Sequence, residues 1–172
     1  MNNRFILGPL GCCILFRCGM GVLVLLLALQ RHIPVAAVGL VFCVWADVLI
    51  AYVARRRLWE KSDSSLQLEG MADFICFVVA PGLLAFMQVP PPSTCIALLI
   101  FILAGAYRIA RFNVEGLIDG KYAGLPVTYN GYIFPLLSLI AAYTPYGMPA
   151  YFIAMMIVSA AMATRYIRIP EF

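Results

Sequence analysis

The chain has 172 residues, 64% of them hydrophobic and only 12% charged, with a formal net charge of +4. A soluble domain carries about twice that charged fraction, so a water-soluble globule of ordinary composition is excluded. The positive excess is small and scattered, which argues against a nucleic-acid partner and leaves membrane lipid as the surroundings of most side chains.

The first apolar run covers about 10–30 and follows a basic start. Its "VLVLLLALQ" resembles the core of a cleaved signal peptide, but Arg17 interrupts it and no small-x-small site follows, so it reads as a retained span. "QRHIP" then makes a tight turn, in which His32, the only histidine, sits beside Arg31 as a solvated residue. The second run, 33–54, contains Asp47. That residue precedes Arg55 by eight positions, which at 1.5 Å per residue is roughly 12 Å along a helix.

After the polar connector "RRRLWEKSDSSLQ", the third run (69–88) opens with Glu69 and Asp73. A spacing of four puts both carboxylates on one helical face. "QVPPPST" leads to the fourth run, 94–113, which ends in Arg108, Arg111 and Asn113. The connector "NVEGLIDGKYAGLP" places Gly116, Gly120 and Gly124 four apart; among so many polar residues this spacing marks loop turns more simply than a helix-packing motif. The fifth and sixth runs, 129–144 and 149–167, are separated by "TPYGMP".

Backbone groups inside a bilayer must pair within their own segment, and the alternation of barrel strands is absent, so the runs are helices. The expected fold is all-α: one polytopic domain over residues 1–172, with six membrane-spanning helices. Arg4, Arg55, Arg56, Arg57, Lys61, Arg108, Arg111, Lys121, Arg165 and Arg168 fall on one side, Arg31 on the other. That asymmetry places both termini and the longer loops in the cytoplasm. The six cysteines show neither C-x-x-C pairs nor zinc-ligand spacing and read as thiols, most of them within apolar runs.

Asp47, Glu69 and Asp73 therefore meet at similar depth on adjacent antiparallel helices. Ionisable groups within spans are costly and mark functional sites. Clustered carboxylates repel unless a cation lies among them, and oxygen donors favour Mg²⁺, Mn²⁺ or Ca²⁺. A plainer account pairs Asp47 with Arg17 or Arg111 and leaves Glu69 at the interface.

This stretch resembles the signature of the CDP-alcohol phosphatidyltransferases, D-x-x-D-G-x-x-A-R followed after eight or nine residues by G-x-x-x-D-x-x-x-D. Asp47, Ala54, Arg55 and Asp73 match it; Ile50, Ala51, Ser65 and Glu69 depart from it. "MADFICFVVAPGLLAF" (71–86), "GAYRIARFNVEG" (105–116) and "YAGLPVTYNG" (122–131) are similar to the phosphatidylserine synthase branch of the family. The resemblance covers about residues 10–165 and implies an integral membrane enzyme, prokaryotic by its lack of extra domains, that is expected to form a homodimer.

The activity so implied moves a phosphatidyl group from a CDP-diacylglycerol-type lipid to a small alcohol, L-serine in that branch, with CMP leaving. The resemblance makes Asp73 the general base, and Asp47, Glu69 and Asp73 ligands of Mg²⁺ or Mn²⁺. On the substrate side it places Arg55, Arg108, Arg111 and Asn113, together with Ala51 and Ser65, which stand where glycines let a nucleotide approach. Ile50 offers no oxygen and Glu69 extends its carboxylate by one bond, so metal binding is expected to be weakened. The alternatives are an inactive homologue that keeps lipid or partner binding, and, less consistent with acids gathered at one face, a small transporter.

Overall fold

The computed structural model describes residues 8–56, 63–89, 93–143 and 147–170. Helix α1 (Pro9–Leu29) and α2 (Ile33–Arg55) form a hairpin. Next comes one continuous helical rod made of α3 (Asp63–Phe74), a π-helical segment (Ile75–Val79) and α4 (Ala80–Phe86). Helix α5 (Ser93–Glu115) follows, then strand β1 (Lys121–Ala123), a 3₁₀ turn (Val127–Tyr129), α6 (Asn130–Tyr143), α7 (Gly147–Ala163) and strand β2 (Arg168–Pro170). Proline stands in the first turn of α1 and of α2, where its missing N–H removes no helical bond.

Among the described residues, four helical stretches are long and apolar enough to cross a membrane: Pro9–Leu29, Ile33–Arg55, Ser64–Phe86 and Thr94–Glu115. They make this an integral membrane protein. The last two expected spans correspond to shorter apolar helices, Val127–Ala141 and Pro149–Ala163, below the ~20 residues of a full crossing. The third rod starts several residues earlier than its hydropathy, because "DSSLQL" is helical although polar. Of the cations that set the orientation, Arg4, Arg57 and Lys61 lie outside the described residues.

Helix α1 packs along α2, α3 and the π segment, α2 along α6, and α5 along α7. Val44, Cys76, Phe77, Val78, Phe101 and Phe134 fill the centre, with Phe101 edge-on to Phe134 at 5.2 Å between ring centroids. The outside is equally apolar: Phe16, Leu23, Trp45, Leu49, Leu103 and Ile157 are exposed, as a lipid-facing surface requires. Close approach of α5 depends on Gly105, where an added Cβ would lie 2.5 Å from a Val78 methyl.

The π segment has a local cause. Pro81, one residue into α4, has no N–H to offer the Phe77 carbonyl four residues back. The buried Asn130 amide, at the start of α6, donates to that carbonyl at 2.7 Å. A proline that would kink the rod is thereby tied to another helix, immediately after the turn that carries Asp73.

The apolar runs predict no strand. Among the described residues, two strands form a short antiparallel ribbon outside the helices, pairing Tyr122 with Ile169 and Ala123 with Arg168. Arg111 fastens this ribbon to α7. Its guanidinium donates to the carbonyls of Ala163 at 2.9 Å and Ala123 at 2.6 Å, and to those of Met162 and Thr164 at 3.2 and 3.3 Å. The last carbonyls of a helix have no partner within it, and Arg111 supplies one. Gly116, Gly120 and Gly124 all have positive φ, so they serve turns. At Gly124 a Cβ would also press within 2.8 Å of the Met162 and Thr164 carbonyl oxygens.

Two outcomes are expected. Gly105→Ala should destabilise the bundle by about 1–3 kcal/mol through overpacking against Val78, read as a lower thermal midpoint in detergent. Arg111→Met should cost about 3 kcal/mol and open residues 165–170 to protease, with Arg111→Lys recovering only part because an ammonium lacks the planar fork.

Candidate functional site

At the end of the bundle that carries the ribbon, the C-terminal part of α2, the middle and last turn of α3 and the C-terminal part of α5 enclose a pocket of about 440 Å³. Asp47 and Arg55 reach it from α2, Glu69 and Asp73 from α3, and Arg108 and Asn113 from α5. Ala51 is also in its wall. Tyr122 and the tail residues Ile169 and Pro170 close one side, a contribution that no signal in the sequence marked.

Seven of the nine site residues expected from the sequence thus share one cavity, and two do not line it. Arg111 is committed to the backbone carbonyls of α7 and the ribbon. Ser65, one turn before Glu69, is buried in α3. Ile50 does not line the cavity either; it packs against the cluster of Leu10, Ile14 and Ala72 between α1, α2 and α3.

Behind the acids lies Arg17. Its side chain is 1% exposed, one Nη contacts Asp47 Oδ1, and the other is 2.8 Å from Asp73 Oδ1. The guanidinium also lies over the Phe77 ring, 5.5 Å from its centroid. Arg17 Nε and Nη2 and Asp73 Oδ1 have no aligned hydrogen bond, so the link to Asp73 is chiefly electrostatic. The plainer pairing weighed above, Asp47 with Arg17, is the one present. A single cation within an apolar run was the signal for it, since such a residue needs an acid at its own depth.

Arg108 differs from the other cations. It is 4% exposed, lines the pocket, and lies against Phe112 and Tyr122, 5.2 and 5.7 Å from their ring centroids. Its Nε is buried without a hydrogen-bond partner. A permanently charged group with an unmatched donor on a cavity wall is suited to an anion.

The resemblance implies two divalent ions among these donors. Among the described residues no three His, Cys, Asp or Glu side chains come together as a metal would require. Asp47 and Asp73 already share Arg17, and Ile50 provides no oxygen. Across the site the charges of Asp47, Glu69 and Asp73 are matched by Arg17, Arg55 and Arg108, which leaves no surplus negative charge to draw an ion in. As arranged, the residues do not fit a two-ion centre.

No family model matches the chain. It is 32% identical over 124 residues to a CDP-diacylglycerol–serine O-phosphatidyltransferase of Methanocaldococcus jannaschii, an alignment covering 70% of this chain and 59% of that protein. It is 29% identical over 89 residues to the protein of the same name from Bacillus subtilis, covering 50% of each. The chain thus spans between half and three-fifths of the length of these curated relatives. These similarities support a relation between the chain and the CDP-alcohol phosphatidyltransferase family.

Proposed function

We propose that the chain is a membrane phosphatidyltransferase of phospholipid synthesis. In this reading the pocket takes the cytidine diphosphate head of a CDP-diacylglycerol-type lipid, and the acceptor is a small alcohol, L-serine by similarity to the named relatives. All six helices belong to the membrane unit, both termini are cytoplasmic, and the pocket opens towards the cytoplasm. The arrangement of Lys and Arg along the sequence supports that orientation. The tails stay in lipid while the head reaches water.

The observation that carries the reading is Arg108: a buried guanidinium with an unmatched Nε on the wall of a cavity that Asp47, Glu69 and Asp73 also line. Arg108 and Arg55 hold the diphosphate oxygens. The acceptor hydroxyl attacks the lipid-side phosphorus, and the bond from that phosphorus to the oxygen bridging to CMP breaks. Asp73 takes the hydroxyl proton, and CMP carries away the electron pair of the broken bond. Arg17 holds the Asp73 carboxylate in position. The donor set does not fit a two-ion centre, and these residue roles stand without one.

A second reading has a specific observation in its favour. Arg17 holds both Asp47 and Asp73, and Ile50 is packed into an apolar cluster. A homologue that binds the lipid head without transferring it would look the same.

Purified protein with CDP-diacylglycerol and L-serine, assayed with Mg²⁺, Mn²⁺ or EDTA, should release CMP and form phosphatidylserine. Arg108→Met should weaken binding of the CDP-lipid by about tenfold or more, the loss expected for one charge-assisted hydrogen bond. Binding without CMP release across a panel of alcohols and metals would select the second reading. Absence of CDP-lipid binding would end both.

A further inference from the structure

We infer that the Arg17 guanidinium is the resident cation of the Asp47–Asp73 pair, so that the resting protein holds no divalent ion between these carboxylates. This stands on the ion-pair geometry and does not depend on whether transfer occurs.

The fork bridges two acids on two helices with its two Nη atoms, the task a bridging metal ion performs with coordination bonds. Its backbone is held in place. The Cys76 thiol donates to the Arg17 carbonyl at 3.4 Å. One turn further along α1, Gly21 comes so close to the π segment that a Cβ there would lie 2.5 Å from Cys76 Sγ. Phe77 covers one face of the guanidinium. With 1% of the side chain exposed, Arg17 has no path to water that leaves this packing intact.

An arginine at this depth keeps its charge. A divalent ion entering between the same oxygens would meet a fixed like charge within a few ångströms. It would also find too few donors: Mg²⁺ prefers about six oxygens in near-octahedral array, and the described residues bring no three ligating side chains together. Arg17 therefore blocks the ion by charge and by position.

Mn²⁺ binding to detergent-solubilised protein tests this directly, followed by loss of the free-ion electron paramagnetic resonance signal. Wild type should leave the signal unchanged at equimolar Mn²⁺. Arg17→Gln keeps the length and some of the hydrogen bonding but removes the charge, and should bind Mn²⁺ at least tenfold more tightly. Adding Asp47→Asn to it should abolish the gain, and Arg17→Lys should behave as wild type. Tight, one-equivalent binding by wild type that Asp47→Asn destroys and Arg17→Gln does not strengthen would overturn the inference.

Should Arg17→Gln fail to fold, the wild-type thermal midpoint in EDTA against Mn²⁺ decides. An unchanged midpoint agrees with the inference, and a rise of several degrees that Asp47→Asn removes refutes it. Because neither readout involves CMP release, failure here is distinct from failure of the transfer assay.

Discussion

An arginine in the middle of an apolar helix must bring its counter-charges with it, because no water is present to serve instead. That demand organises one end of this protein. Arg17 on α1 draws Asp47 from α2 and Asp73 from α3, so three helices meet around one buried charge. Removing one partner of such a network characteristically costs about 3–5 kcal/mol, since the charge left behind is uncompensated. The acids are fixed by this network before any ligand arrives, and the pocket in front of them inherits their positions.

The rest of the structure keeps that network closed. Gly21 lets α1 sit against Cys76, and Gly105 lets α5 sit against Val78, both on the π segment that follows Asp73. Segments of π-helix recur at functional sites. Here the segment lies beside Pro81, with the Asn130 amide on the Phe77 carbonyl. On the opposite wall Arg111 plays a purely structural part, binding the end of α7 to β1 so that Ile169 and Pro170 border the cavity. The exposed ion pairs of the ribbon, Arg165 with Glu115 and Arg168 with Asp119, add little to this.

The helical architecture was legible because bilayer spans are written in composition: long apolar runs, polar connectors and proline near helix starts. The convergence of Asp47, Glu69 and Asp73 was legible for the same reason, since depth follows from distance to the turn and face follows from a spacing of four. The partner of the acids was legible in principle. Arg17 in α1 and Asp47 in α2 both lie roughly 20 Å from the turn that joins the two helices. What spacing could not reveal was direction. Arg111 sits one turn beyond Arg108 on α5 and is chemically identical, yet one side chain meets backbone carbonyls and the other a cavity. The tail that closes the pocket comes from the far end of the chain, where a three-residue strand leaves no periodic trace.

The departures from the signature form a single physical pattern. With isoleucine at position 50, Arg17 supplies the positive charge that stands between Asp47 and Asp73. The chemistry of that charge differs from a metal's. A metal exchanges ligands and can accept phosphate oxygens, whereas a guanidinium pinned under Phe77 donates only in its own plane. Ile50, seated among Leu10, Ile14 and Ala72, is apolar because its neighbours are. An aspartate there would need a cation that this packing does not supply. The carboxylate pair and its arginine are thus a self-sufficient unit, and whatever anion enters the pocket meets Arg108, whose Nε has no hydrogen-bond partner.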